Sequence, residues 1–315
     1  LDRMIKGLMH LMHLDLYTWA VIIGVLAGFA TRMLLLRTDY RQYPTYPHGH
    51  VIHLSLGLIA AGMGAVAVPA LLDRNYTAIT FLALAAQQFR EVRNMERETM
   101  SKLDHMELVP RGASYIEGIA MVFEGRNYLV IFSSFITSLA VVIIHHWYGG
   151  VIAGLVMIFV ASRLRTGRFL REIAEIRLGT LRWEGANLFV DDIHLMNVGL
   201  KKDRERIGQH GVGVVVQPLS ADSVITLANM GQRQAILHDV SATLGVYRDT
   251  GEAGLVPIAK RKLEDGRLGI LVLPQEKDEH KIIDAVGRVP VLESAVRMPT
   301  ETLHHINSSD RRGWS

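Results

Sequence analysis

Two glutamates near the middle of the chain, Glu117 and Glu124, and a histidine run, His48-Gly-His50-Val-Ile-His53, carry the residue types and spacings with most chemical potential. The glutamates lie in Ser114–Tyr128, seven residues apart, and so share one face of a helix. Their axial separation of about 10 Å, at ~1.5 Å rise per residue, is too long for a dyad sharing one proton. Any catalytic pairing therefore needs a group from another segment. A carboxylate at a membrane boundary is costly to keep and is by default a candidate functional group. The alternative is ion pairing to Arg90, Arg93 or Arg97, which recur at helical spacing on the preceding segment. Ser114, Gly118 and Gly125 form an adjacent small-residue stripe of the kind that lets membrane helices approach closely. His50 and His53, three residues apart, point the same way on a helix. With a carboxylate from elsewhere they would suit zinc. The alternative is a pair of interfacial histidines at a helix start.

Several chemistries are absent from the sequence. With no cysteine there is no disulfide, Cys-ligated zinc, iron–sulfur cluster or thiol nucleophile. A net charge of +3 does not indicate nucleic-acid binding. No His-Glu-x-x-His, Gly-x-Ser-x-Gly, Gly-x-Gly-Asp or Walker-type phosphate loop occurs. Ser138 and His145 share a helix face but lie two turns apart, too far to hydrogen-bond. Asp191-Asp192 is a rival carboxylate pair, but neighbours on a strand point to opposite faces.

The elements that must position these groups divide into two halves. The chain is 49% hydrophobic and 21% charged. Residues 1–161 hold 12 Lys and Arg and 11 Asp and Glu, against 22 and 20 in residues 162–315. The apolar half contains five stretches: 16–36, 51–72, 76–89, 128–144 and 147–161. A full span needs ~20 apolar residues, which the third stretch does not reach. The positive-inside rule supports counting it. Loops 37–50 and 90–127 and everything after 162 are rich in arginine, whereas 145–150 has no Lys or Arg. The expected topology is a multi-pass cell-membrane protein with five spans, N-terminus outside and C-terminal domain in the cytoplasm. This places His50, His53, Glu117 and Glu124 at one membrane face, and His145-His146 at the other. Arg163, Arg165, Arg168, Arg171, Arg177 and Arg182 continue past the last span as a stop-transfer cluster facing anionic lipid.

After a basic juxtamembrane linker at 162–182, residues 183–300 read as a cytosolic α+β domain, and 301–315 as a polar tail. Trp183–Leu195 adds a strand or two. From about 211 the order is β-α-β-β-α-β: a strand at 211–217, a helical stretch from the Ser220 start signal to about 244, strands 255–262 and 267–273 around an Asp265-Gly266 hairpin, a helix at 276–287, and a last strand at Pro290–Arg297. That is the ferredoxin-like order, with strands expected as 4-1-3-2. Fold alone names no ligand.

Tyr115-Ile116-Glu117-Gly118-Ile119-Ala120 is the hexapeptide that gives the YIEGIA family its name, and the chain resembles that family over most of its length. The resemblance implies a protein of endospore-forming bacteria associated with sporulation. It also implies a membrane-bound protease restrained by a small partner protein. Two classes of function follow from the sequence. One is a protease acting on cytosolic regulatory proteins, with Glu117, Glu124, His50 and His53 as its site. The other is a non-enzymatic scaffold or sensor whose α/β domain binds a ligand or a partner protein. The lipid bilayer is the common partner of both, and a homo-oligomer is compatible with either. The topology is directly testable: reporter fusions after Ser315 and within 145–150 are expected to report opposite sides of the membrane.

Overall fold

The computed structural model describes residues 15–39, 47–164, 167–247 and 255–296. The polar tail expected at 301–315 lies outside them. The chain folds into two units, residues 1–96 with 120–165, and residues 97–119 with 166–315.

Among the described residues, five long helices come first: α1 (Leu16–Asp39), α2 (Pro47–Leu72), α3 (Tyr76–Asp104), α4 (Ala113–Ile144) and α5 (Trp147–Arg163). Three are long and apolar enough to cross a membrane, over Leu16–Arg37, Gly49–Leu72 and Ala113–Ile144. Trp147–Arg163 is apolar but shorter, and α3 begins apolar and ends charged. The inter-span segment 90–127, whose arginines and glutamates recur at helical spacing, is mostly helix: α3 runs on to Asp104 and α4 starts at Ala113. Nothing between Tyr76 and Asp104 breaks a helix: the segment lacks Gly and Pro and is rich in Arg, Glu, Met and Lys. The tight turns after α2 and α4 close through Arg74 and His145, at φ 52° and 59°.

In the first unit, α4 grips α1 and α2 through hydroxyls set among small residues. Ser134 Oγ lies 2.8 Å from Gly24 O and 2.5 Å from Ala61 O, one proton shared between carbonyls of two helices. Ser138 donates to Ala65 O at 3.0 Å, which commits that hydroxyl to packing. Gly64 faces the carbonyl of Ile131, and a Cβ at Gly28 would lie 2.8 Å from Ser134 Cβ and 2.9 Å from Ala61 Cβ. Lipid tails are as apolar as leucine, so such helices associate by close packing and hydrogen bonds rather than by the hydrophobic effect.

Among the described residues the second unit has seven strands: β1 (Ala174–Gly179), β2 (Leu181–Glu184), β3 (Asn187–Val190), β4 (Ile193–Asn197), β5 (Val212–Pro218), β6 (Ile258–Arg261) and β7 (Leu268–Val272). Its helices are α6 (Lys201–His210), α7 (Ala221–Ala228), α8 (Met230–Leu244) and α9 (Glu279–Gly287). Strands β1-β5-β7-β6 form an antiparallel sheet, and β2-β3-β4 a separate meander. Leu188, Leu195, Ile207, Val215 and Leu271 share one buried core. The β6–β7 hairpin forms at Asp265-Gly266 as expected, with Gly266 at φ 77° and Lys262 N donating to Arg267 O at 2.8 Å. Ser220 caps α7 by accepting from Ser223 N at 3.2 Å. The single long helix expected to follow it is two, because Asn229 ends α7 and caps α8.

The expected ferredoxin-like sheet is corrected at the place of its fourth strand. Three of the four strands stand as expected, β5, β7 and β6 in the places of the first, third and second strands, with antiparallel neighbours throughout. The place beside β5 belongs to β1, from the stretch expected as a linker. Ala174, Ile176 and Leu178 alternate there with Glu175 and Arg177, the period of a half-buried edge strand. The expected last strand instead gives one bridge, between Phe169 and Pro290, and a 3₁₀ turn at Glu293–Ala295; Arg297 lies outside the described residues. Proline has no N–H to donate to a ladder, which weakens that segment as a strand.

The close helix seam makes a paired prediction. Gly28→Ala should lower the melting temperature in detergent, since overpacking costs ~1–3 kcal/mol. A Cβ at Gly125 meets nothing within 4 Å, so Gly125→Ala should leave the melting temperature unchanged or raise it. Thermal unfolding of the two variants side by side checks both.

Candidate functional site

A layer of buried charged and polar groups crosses the first unit. Arg32 on α1 is fully buried, and its Nη1 lies 3.1 Å from Asp39 Oδ2. The other carboxylate oxygen of Asp39 pairs with Arg126 on α4, whose Nη1 also donates to Leu35 O at 3.2 Å. One carboxylate thus serves two guanidinium groups. Gly57 on α2 leaves room for the stem of Arg32, which a Cβ there would strike. The Arg32 guanidinium stands 4.7 Å above the Phe123 ring, a cation–π contact. The same ring lies 4.7 Å from the imidazole of His53, on α2. His53 is fully buried, with Nε2 3.5 Å from Glu96 Oε1 on α3. An imidazole beside a carboxylate in an apolar bundle is an acid–base couple.

The four expected residues are distributed differently from the sequence reading. His53 is in this layer. His50 is exposed. Glu124 meets Arg93 at 3.4 Å in the first unit, while Glu117 meets Arg97 at 3.7 Å in the second. Ion pairing, one of the two readings of these glutamates, is what both of them show. No group of three or more His, Asp or Glu with metal-binding geometry occurs among the described residues. The His53–Glu96 pair therefore does not fit the three or four donors that zinc takes.

Glu96 escaped the sequence reading because only the arginines of its helix were weighed, as partners for Glu117 and Glu124. A signal was present: Phe89, Val92, Glu96 and Met100 are all buried, at the spacing of one helix face. A carboxylate in register with an apolar stripe marks a buried, partnered acid. The rival pair Asp191-Asp192 is scaffolding. Asp191 accepts from Thr180 N at 2.8 Å and pairs with Arg177 at 2.7 Å. Asp192 sits 2.6 Å from Lys262 and 2.7 Å from Arg267, which hold its carboxyl well below the usual range.

In the second unit, one face of α8 grips the connection between α3 and α4. Asp104 accepts from Arg111 N and Gly112 N, at 2.6 and 3.0 Å, closing that connection. His238 Nδ1 lies 2.6 Å from Val109 O, so the ring carries its proton there. Gln234 Oε1 accepts from Tyr115 N at 3.0 Å. A Cβ at Gly231 would lie 2.8 Å from Ser114 O, and one at Gly118 would lie 2.5 Å from Ser294 Oγ. Gln232 fixes the segment that carries Ser294, donating to Pro290 O at 3.1 Å and accepting from Leu292 N at 2.8 Å. The hexapeptide at 115–120 is thereby read residue by residue: Tyr115, Ile116 and Ile119 are buried, Glu117 is paired, and Gly118 admits Ser294.

Comparison with known proteins adds two matches. The family model described as YIEGIA protein matches residues 20–302. The chain is 53% identical over 285 residues to the Bacillus subtilis (strain 168) protein YphB, itself described as uncharacterized, covering 90% of this chain and 96% of that one. No solved structure matches.

Two neighbours on α8 give a pH prediction. Burial raises the Asp239 carboxyl from 3.8 to about 7, with the Arg111 guanidinium opposing. Burial lowers the His238 imidazole. A raised folded-state carboxyl binds protons that the unfolded chain has lost, so its share of stability falls as pH rises from ~4 to ~7. The depressed histidine acts oppositely, destabilising as pH falls below the ~6.5 of a free imidazole. Asp239→Asn removes the first effect alone. Relative to the parent chain, it should raise the melting temperature most at pH 8, with the difference shrinking toward pH 5.

Proposed function

We propose that this chain, which belongs to the YIEGIA family, is a sporulation-associated membrane protease acting on cytosolic regulatory proteins, with His53 and Glu96 as its acid–base couple. The observation that carries this reading is the buried contact of 3.5 Å between His53 Nε2 and Glu96 Oε1. In such a couple the imidazole takes a proton from water as it attacks a carbonyl, and returns it to the leaving amine. The carboxylate orients the ring and stabilises the imidazolium between those steps. Glu124 and Glu117 hold Arg93 and Arg97 in this scheme rather than handling protons. The proposal includes five spans, N-terminus outside and C-terminal domain cytoplasmic. The arginine distribution supports that orientation. A small regulatory protein would then meet the cytoplasmic α/β domain.

A second reading is a non-enzymatic membrane scaffold or sensor. It is favoured by the arginine partner at each glutamate that the sequence had put forward as catalytic. A cavity of about 330 Å³ in the α/β domain, lined in part by Arg168, Glu172, Ser220, Asp222 and Ser223, gives a sensor somewhere to hold a ligand.

Proteome comparison in sporulating cells separates the readings. Cells with the parent chain should lack specific cytosolic proteins that accumulate in His53→Gln and Glu96→Gln cells, with each variant still present in the membrane. Glu117→Gln and Glu124→Gln should retain most of the activity. Loss of activity in those two alone would return the site to the glutamates on α4. Identical proteomes throughout favour the scaffold.

A further inference from the structure

Asn127 lies on α4 one helical turn beyond Phe123, the ring that touches both His53 and Arg32. Its side chain is fully buried. Among the described residues, neither its amide nitrogen nor its carbonyl oxygen has a hydrogen-bond partner. Its neighbour Arg126 is satisfied by Asp39 and Leu35 O, so the charged layer makes no claim on the amide. An amide with donor and acceptor both unmade is an expensive thing to bury, and leucine, of nearly the same volume, would carry no such penalty.

We propose that Asn127 binds the main chain of the substrate, holding an extended polypeptide beside the acid–base couple; this rests on the reading of His53 and Glu96 as hydrolytic. A carboxamide offers one acceptor and a donor side by side, the complement of a peptide group's N–H and C=O. A carboxylate or phosphate offers acceptors alone and would leave Oδ1 unmatched. An ammonium offers donors alone and would leave Nδ2 unmatched. Water or a hydroxyl would also serve either atom, but beside a hydrolytic couple the group that meets both at once is polypeptide backbone, read without regard to side-chain identity. Because the amide is enclosed, the peptide reaches it when α4 and its neighbours part.

The test uses the purified full chain in detergent, with fluorescein-labelled casein as an unfolded polypeptide probe. Binding is followed by anisotropy, cleavage by release of small fragments, and stability by thermal melting. Asn127→Leu should melt at the parent temperature or higher, yet bind casein at least tenfold more weakly. His53→Gln should bind as the parent does and lose cleavage. A lower melting temperature for Asn127→Leu shows that the amide is partnered within the fold, and overturns the inference. So does parent-like casein binding by Asn127→Leu, or no casein binding by the parent chain. Binding that depends on Asn127 without cleavage by any form, parent included, overturns the hydrolytic reading and leaves Asn127 as a peptide-binding group.

Discussion

A guanidinium with no access to water, Arg32, sets the terms for the helical unit. An unpaired charge in such surroundings is not tolerated, so an anion must reach it from within the protein. Asp39, seven residues on, supplies that anion, and Arg126 on α4 shares it. The net positive charge of this trio is moderated by the face of Phe123 against Arg32. These contacts fix where α4 stands against α1, and thus where Phe123 presents its ring to His53. Gly57 is required for the same reason, because any larger residue would strike the arginine stem. Replacing the trio by apolar residues of similar volume would cost the fold little; removing Asp39 alone would take one buried anion from both arginines.

What the sequence made legible follows from which signals are local. The helices at 16–39 and 47–72 were plain because their apolar runs approach or reach the length of a span. The Asp265-Gly266 turn and the Ser220 cap were plain because each is decided by a few adjacent residues. The hidden features are those in which charge and helix coincide. Arg90–Asp104 carries so many ions that its helix reads as solvated all round, yet it buries Glu96 on its inner face. Strand β1 was lost the same way, since Arg177 and Glu175 occupy its outward positions within what looked like a basic tether. Which segment takes the edge beside β5 is a non-local property, and nothing in the 290–297 sequence says that β1 already stands there.

The hexapeptide at 115–120 also belongs to a physical constraint rather than to chemistry alone. It begins α4 just after a connection closed by Asp104 and held by His238 of α8 at Val109 O, and its first residue is clasped by Gln234 of the same helix. Tyrosine fills the space under the clasp, the isoleucines fill the helix's inner faces, and glycine at 118 admits the turn at Ser294 that Gln232 holds in place. Glutamate is the one member whose contact is with solvent-accessible charge, at Arg97. A motif of this make-up is what a docking surface needs: one large anchor, small residues where backbones meet, and an ion pair at the rim. The clasp is also where the second unit keeps Asp239 and His238, each shifted by burial toward its neutral form. Each disfavours charge at the joint, so rising pH loads it through the aspartate and falling pH through the histidine. The clasp is therefore least strained where both are neutral, in the interval between the ionisation of His238 below and that of Asp239 near 7 above.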